Sequence, residues 1–91
     1  MTFRKISIIG AGVMGEAMIS ALLKAGHQPG NIEIFEKRAE RTTELVGKYS
    51  VNVGTDLAGS DAVLLLVKPQ DLEATLADIN GKLPASALVI S

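Results

Sequence analysis

Three short stretches of this chain carry residues that chemistry can use, and each stands at the end of an apolar run. The first is Ile9-Gly10-Ala11-Gly12-Val13-Met14, followed by Gly15. Between a strand and a helix, a GxGxxG pattern gives each glycine its own task in a dinucleotide site. Gly10 permits the tight turn out of the strand, because a residue without Cβ takes positive φ at little cost. Gly12 leaves room for a pyrophosphate to approach the backbone. Gly15 lets the new helix pack closely on the strand. That helix directs unpaired N–H groups and a partial positive charge at the phosphates. The second stretch is Glu36-Lys37-Arg38. Glu36 lies about 20 residues past the last glycine, where the fingerprint places an acid that accepts hydrogen bonds from ribose hydroxyls. Lys37 and Arg38 pull the other way, since a cation at this point holds the 2′-phosphate of NADP, with Arg offering a planar fork. NAD and NADP both stay open, the cations favouring NADP. The third stretch is Val67-Lys68-Pro69. It lies just past a strand end, on the sheet edge where open α/β sheets bind ligands. Lys68 is placed there to hold a cofactor phosphate or to line a nicotinamide pocket.

Nothing else in the sequence competes with these. There is no cysteine and a single histidine, His27, so neither thiolate chemistry nor a metal cluster is expected. No Ser/His/Asp set, carboxylate pair or metal-ligand spacing is present, and no residue is assigned as a catalytic acid or base. The chain holds parts for binding a cofactor, not for the chemical step.

The elements that must position these stretches follow from periodicity. Ile6 to Ile9 reads as a short buried strand. A helix from about Met14 to Ala25 has Met14, Ala17, Met18, Ala21, Leu22 and Ala25 at helical spacing, with Gly26 placed to stop it. Ala17 and Ala21 on that stripe predict a close approach to the sheet. Ile32 to Phe35 is the second strand. A helix from about Ala39 to Lys48 turns Ala39, Thr42, Leu45, Val46 and Tyr49 inward. Val51 to Val53 is a short edge strand. Ala62 to Val67, the most apolar run, is the fourth strand, and Pro69 ends it. Asp71 to Ile79 is an amphipathic helix with Leu72, Leu76 and Ile79 inward. Asn80-Gly81 is a turn, and Leu88-Val89-Ile90 begins a fifth strand. Thr55 and Asp56 are placed to cap a short turn.

This alternation predicts an α/β fold, a Rossmann-like doubly wound parallel sheet truncated after the fifth strand, with residues 1–91 forming one NAD(P)-binding domain. The composition agrees: 47% hydrophobic residues and 21% charged residues describe a folded domain, and 3% aromatics imply an aliphatic core. A net charge of −1 argues against nucleic acid as a partner. No apolar run approaches the roughly 20 residues of a membrane span, so a cytoplasmic protein away from membranes is expected. One connection is tight. In strand order 3-2-1-4-5 the chain must cross from the third strand to the fourth, a span of roughly 20 Å. The eight residues from 54 to 61 reach about 27 Å when extended. The crossing is possible without a helix.

Ile9-Gly10-Ala11-Gly12-Val13-Met14, then Glu16-Ala17-Met18-Ile19 and Leu22-Leu23, resembles the opening of pyrroline-5-carboxylate reductase. Val67-Lys68-Pro69-Gln70-Asp71 resembles that family's second hallmark, and Leu88-Val89-Ile90-Ser91 is similar to the strand leading to its next cofactor loop. Either motif alone is shared with hydroxyacid dehydrogenases and deazaflavin-linked NADP oxidoreductases, and a non-catalytic dinucleotide-sensing module is a further alternative. The resemblance covers nearly all of this chain and only the N-terminal part of a full-length member. It implies NAD(P)H-dependent reduction of the small molecule 1-pyrroline-5-carboxylate to L-proline. It also implies a C-terminal helical domain, absent here, that supplies the substrate pocket and dimer contacts; the full-length protein is then a homo-oligomer and this stretch alone is inactive. By the same analogy Gly10 to Met14 cradle the pyrophosphate, Glu36 to Arg38 face the adenosine ribose, and Val67-Lys68-Pro69 lie along the nicotinamide half. Two departures stand out. Family members commonly carry Asn where Leu57 stands, and the stretch Ala58 to Ser60 is about four residues shorter than usual.

Overall fold

The computed structural model describes residues 4–10, 12–79 and 81–82, and the backbone of 88–90. Strand β1 (Ile6–Ile9) leads through the glycine turn into helix α1 (Val13–Lys24). A short 3₁₀ turn, Pro29–Asn31, precedes β2 (Ile32–Phe35), then come α2 (Ala39–Tyr49), β3 (Asn52–Val53), β4 (Ala62–Leu65), α3 (Pro69–Ile79) and β5 (Leu88–Ile90). The strands form one parallel sheet in the order β3-β2-β1-β4-β5. Ile6 stands between Ile32 and Ala62, and Ile9 between Phe35 and Leu65. β1 is thus the centre from which the chain winds first one way, then the other, as the sequence predicts. Asn80, expected in a turn, and residues 83–87 and 91 lie outside the described residues.

Each face of the sheet has its own core. Ile6, Ile8, Ile32, Ile34 and Leu64 pack with Ile19 of α1 and Leu45 of α2, while Ile9, Val63 and Leu65 pack with Leu57 and with Ile79 of α3. Helix α1 meets the sheet through Gly15, Met18, Ile19, Leu22 and Leu23: of the predicted stripe, Met18 and Leu22 pack on the core, whereas Ala17, Ala21 and Ala25 are exposed and Met14 is 63% exposed. Both sets satisfy helical spacing. The set that buries Ile19, Leu22 and Leu23 removes more apolar area from water, at about 25 cal/mol per Å², and it decides the rotation of the helix. Gly15, not Ala17 or Ala21, is the small residue that the helix buries. α1 ends as expected: Gly26, at φ +102°, donates its N–H to Leu23, and His27 donates to Leu22, closing a Schellman motif. In α2, Leu45 is buried and Thr42, Val46 and Tyr49 half-buried, whereas Ala39 is exposed.

Two further expectations need correction. β4 stops at Leu65 rather than Val67, because its neighbour β1 turns away at Gly10 and leaves no ladder to continue, although Leu66 N–H still reaches the Ile9 carbonyl at 2.9 Å. Pro69 therefore does not end a strand. It opens α3 as its first residue, where a missing N–H costs nothing. In α3 the inward residues are Leu72, Thr75 and Ile79, and Leu76 is 43% exposed.

The connection from β3 to β4 crosses the second face without a helix. Leu57 is buried in the middle of it, and Asp56 accepts the Ala58 N–H at 2.8 Å to form the turn. Lys5 Nζ holds the Ala58 carbonyl at 2.6 Å and the Asp56 carbonyl at 3.1 Å, and the buried hydroxyls of Ser7 and Ser60 bond at 2.7 Å. Lys5, just before β1, and Ser7 within it thus pin the short loop.

Candidate functional site: a cleft at the carboxyl edge

A cleft of about 1050 Å³ opens where the strands end. One wall is the glycine turn, with Ile9, Gly10 and Gly12. A second is the Glu36-Lys37-Arg38 turn after β2. A third is Val67 and Lys68 after β4. Three stretches that are far apart in sequence converge because parallel strands put all their carboxyl ends on one edge. Val13, Met14 and Pro69, named with them, do not line the cleft: Val13 and Met14 sit on the outward side of α1, Val13 at 85% exposure, and Pro69 begins α3. Ala11 lies outside the described residues. The cleft also contains Phe35, the Gly54–Ala58 loop, and Asp71 and Thr75 of α3, none of them named among the cofactor-binding residues from sequence. The available signal was topological: the loop after any strand of a parallel sheet joins that same edge.

The glycines act differently. Gly10 has φ +92°, and a Cβ there would stand 2.9 Å from the Leu66 carbonyl oxygen and 3.0 Å from Val67 Cγ1. Its N–H is held by the Phe35 carbonyl at 3.0 Å. Gly10 is thus a requirement of the fold. Gly12, the N-cap of α1, has ordinary extended backbone and open space where a Cβ would be. Its bareness serves whatever occupies the cleft. The loop on the opposite wall is fitted just as tightly: at Gly54 a Cβ would fall 2.3 Å from the Phe35 ring.

The Glu36 turn closes on itself. One carboxylate oxygen accepts the N–H of Lys37 at 2.8 Å, and the other accepts Arg38 Nη2 at 2.9 Å and Nε at 3.3 Å. The carboxyl is only 9% exposed and Arg38 is 57% exposed. Partial burial works to raise the Glu36 pKa, but the Arg38 guanidinium and the backbone N–H groups of Arg38 and Lys37 outweigh it and hold the group below its ordinary value. The acid that sequence reading offers to a ribose is thus engaged in shaping its own turn, and Arg38 is what the turn presents.

Behind the cleft, Glu16 of α1 is gripped by α2. It accepts Lys48 Nζ at 2.8 Å, Tyr49 Oη at 2.7 Å and Arg41 Nη2 at 2.8 Å, and these bonds lower its pKa to about 2.

A doubly wound parallel sheet whose first strand turns through glycine into a helix, with a cleft at the carboxyl edge, is the Rossmann-type nucleotide-binding fold. The chain belongs to the family described as NADP oxidoreductase coenzyme F420-dependent, whose model matches residues 5–91. Among curated relatives, the pyrroline-5-carboxylate reductase of Corynebacterium melassecola is 36% identical over 93 residues, covering 94% of this chain and 34% of the relative. The enzyme of the same name from Methanosarcina acetivorans is 36% identical over 96 residues, covering all of this chain and 36% of the relative. The chain thus spans about a third of the length of these relatives. The solved structure of a pyrroline-5-carboxylate reductase from Coxiella burnetii superposes with a TM-score of 0.77 at 24% identity, over 89% of this chain and 31% of that one. The first departure from the family pattern now has a physical reading: Leu57 is a core residue, packed with Val63, Leu65 and Ile79. It anchors the helix-free crossover.

Proposed function

We propose that this chain is the NADPH-binding portion of an oxidoreductase that reduces 1-pyrroline-5-carboxylate to L-proline. The observation that carries the cofactor half of this reading is the convergence of Gly12, Arg38 and Lys68 on one cleft, with open space above Gly12. In it, Ile9 to Met14 form the pyrophosphate turn, with Gly10 and Gly12 facing the cleft. Glu36, Lys37 and Arg38 form the ribose turn, and Val67 and Lys68 border the nicotinamide half, with Pro69 opening the helix that follows. Glu36 being engaged with Arg38 favours NADP over NAD, because a carboxylate already accepting a guanidinium is poorly disposed toward a ribose diol, while Arg38 is exposed to meet a 2′-phosphate. The substrate half rests on the named relatives, whose remaining two thirds would supply the substrate pocket and the contacts between subunits. NADPH, when bound, supplies the hydride. The residues of this chain bind and orient it, with the α1 N-terminus and Lys68 meeting phosphate charge.

Titration of the chain with NADPH and NADH tests this. NADPH is expected to bind more tightly, and Arg38→Ala to weaken NADPH selectively. Equal weakening of both removes Arg38 from the 2′-phosphate. Added 1-pyrroline-5-carboxylate is expected to leave bound NADPH unoxidised, and turnover by this chain alone would refute the missing pocket. The family description favours a second reading, a deazaflavin-linked NADP oxidoreductase. NADP reduction by reduced coenzyme F420 in the whole protein, without pyrroline reduction, would select it.

A further inference from the structure

Arg41 stands in α2, outside the walls of the cleft, yet its guanidinium reaches across to the glycine turn. Nη2 donates to the Gly12 carbonyl at 3.3 Å and to Glu16 Oε1 at 2.8 Å, and Nη1 pairs with Glu44. The side chain is only 17% exposed. Lys48 and Tyr49, on the last turn of the same helix, hold the other oxygen of Glu16. The Gly12 carbonyl therefore carries two donors, the helical N–H of Glu16 at 3.0 Å and Arg41. In a trans peptide the carbonyl of Gly12 and the N–H of Val13 point in opposite directions. Holding the carbonyl back along α1 thus aims the Val13 N–H out of the helix end. Gly12 has no side chain with which to cap that end, so the plane of this peptide rests on its carbonyl donors.

Building on the dinucleotide reading above, we propose that Arg41 is a positioning residue for the cofactor. By gripping the Gly12 carbonyl and Glu16 together, it fixes the first amides of α1 toward the pyrophosphate. It also ties them to the Glu36–Arg38 turn, which leads directly into Arg41's own helix through the bond from Thr42 N–H to the Arg38 carbonyl. The two halves of the cleft are then set at one separation by a guanidinium that touches no ligand itself, with Lys48 and Tyr49 bracing the same carboxylate.

The test compares NADPH with 2′-AMP, which carries the 2′-phosphate and no pyrophosphate. In Arg41→Ala, NADPH affinity is expected to fall roughly tenfold, the scale of a lost charge-assisted hydrogen bond, while 2′-AMP affinity is unchanged. The Val13 and Met14 amide resonances of the free protein should shift. Arg41→Lys, which keeps the charge and one donor, should recover part of the loss. Parallel losses for both ligands, or an unchanged NADPH affinity, overturn the proposal. If Arg41→Ala does not fold, Arg41→Lys and Glu16→Gln are read by the same ratio: selective loss of NADPH supports the proposal, and parallel or absent loss overturns it. Failure of the wild type to bind either ligand overturns the dinucleotide reading itself, and this proposal with it.

Discussion

Gly10 and Gly12 sit two residues apart in one turn, and the structure predicts opposite consequences for changing them. At Gly10 an added Cβ meets the Leu66 carbonyl oxygen at 2.9 Å and Val67 Cγ1 at 3.0 Å, on backbone at φ +92°. The left-handed conformation costs an L-residue about 1–2 kcal/mol. Forcing apart packed backbone adds about 1–3 kcal/mol, since the carbonyl belongs to the main chain just past β4 and cannot swing aside like a flexible side chain. The sum, about 2–5 kcal/mol, is a large part of the 5–15 kcal/mol or so by which a small domain is stable. Gly10→Ala should therefore lower the Tm by at least about 10 °C, or leave the chain unfolded. At Gly12 no described residue beyond its chain neighbours lies within 4 Å of the added atom, and extended backbone suits a β-branched residue. Gly12→Val should keep stability within about 1 kcal/mol of wild type. Its side chain, however, projects into the cleft where the pyrophosphate is proposed to lie, so NADPH affinity should fall by more than about tenfold. Thermal unfolding and NADPH titration of both variants, side by side, check this. A Gly12→Val protein that binds NADPH like wild type would refute the site. A Gly10→Ala protein with an unchanged Tm would refute the packing argument.

Other outcomes follow from the same geometry. Gly54→Ala places a Cβ 2.3 Å from the Phe35 ring. Because the ring is the end of a side chain, it should rotate away at a cost of about 1–3 kcal/mol, read as a lower midpoint in urea, and the cleft it lines should change shape. Glu16, with a pKa held at about 2 against an ordinary 4.5, contributes stability that is present above pH 4.5 and is lost as pH falls from there toward 2, because the unfolded chain takes up the proton first. Tm measured across that window should drop less steeply in Glu16→Gln than in wild type; identical slopes would mean the bonds to Lys48, Tyr49 and Arg41 do not bias its protonation.

Much of the architecture was legible because it is written in local patterns. Short apolar runs ended by glycine or charge located the strands. Gly26 marked the end of α1 through a motif that needs only neighbouring residues. The strand order followed from the one arrangement in which the glycine turn serves a doubly wound sheet. The phase of α1 was not legible, since two apolar stripes share its surface and only the partner decides which is buried. The same holds for Leu76, whose spacing suits an inward face that α3 does not turn to the sheet.

For the candidate site, the sequence by itself determined which three stretches could serve a cofactor and on which edge they must meet, because strand direction and glycine geometry are properties of the backbone. Only the tertiary structure decided what those residues do to one another. Glu36 turns back onto Arg38, Leu57 becomes core, and Arg41 reaches a carbonyl 29 residues away in the chain. The contacts of Leu57 and Arg41 join different elements, which no spacing rule within one element can foresee, and that of Glu36 depends on how its own turn folds back.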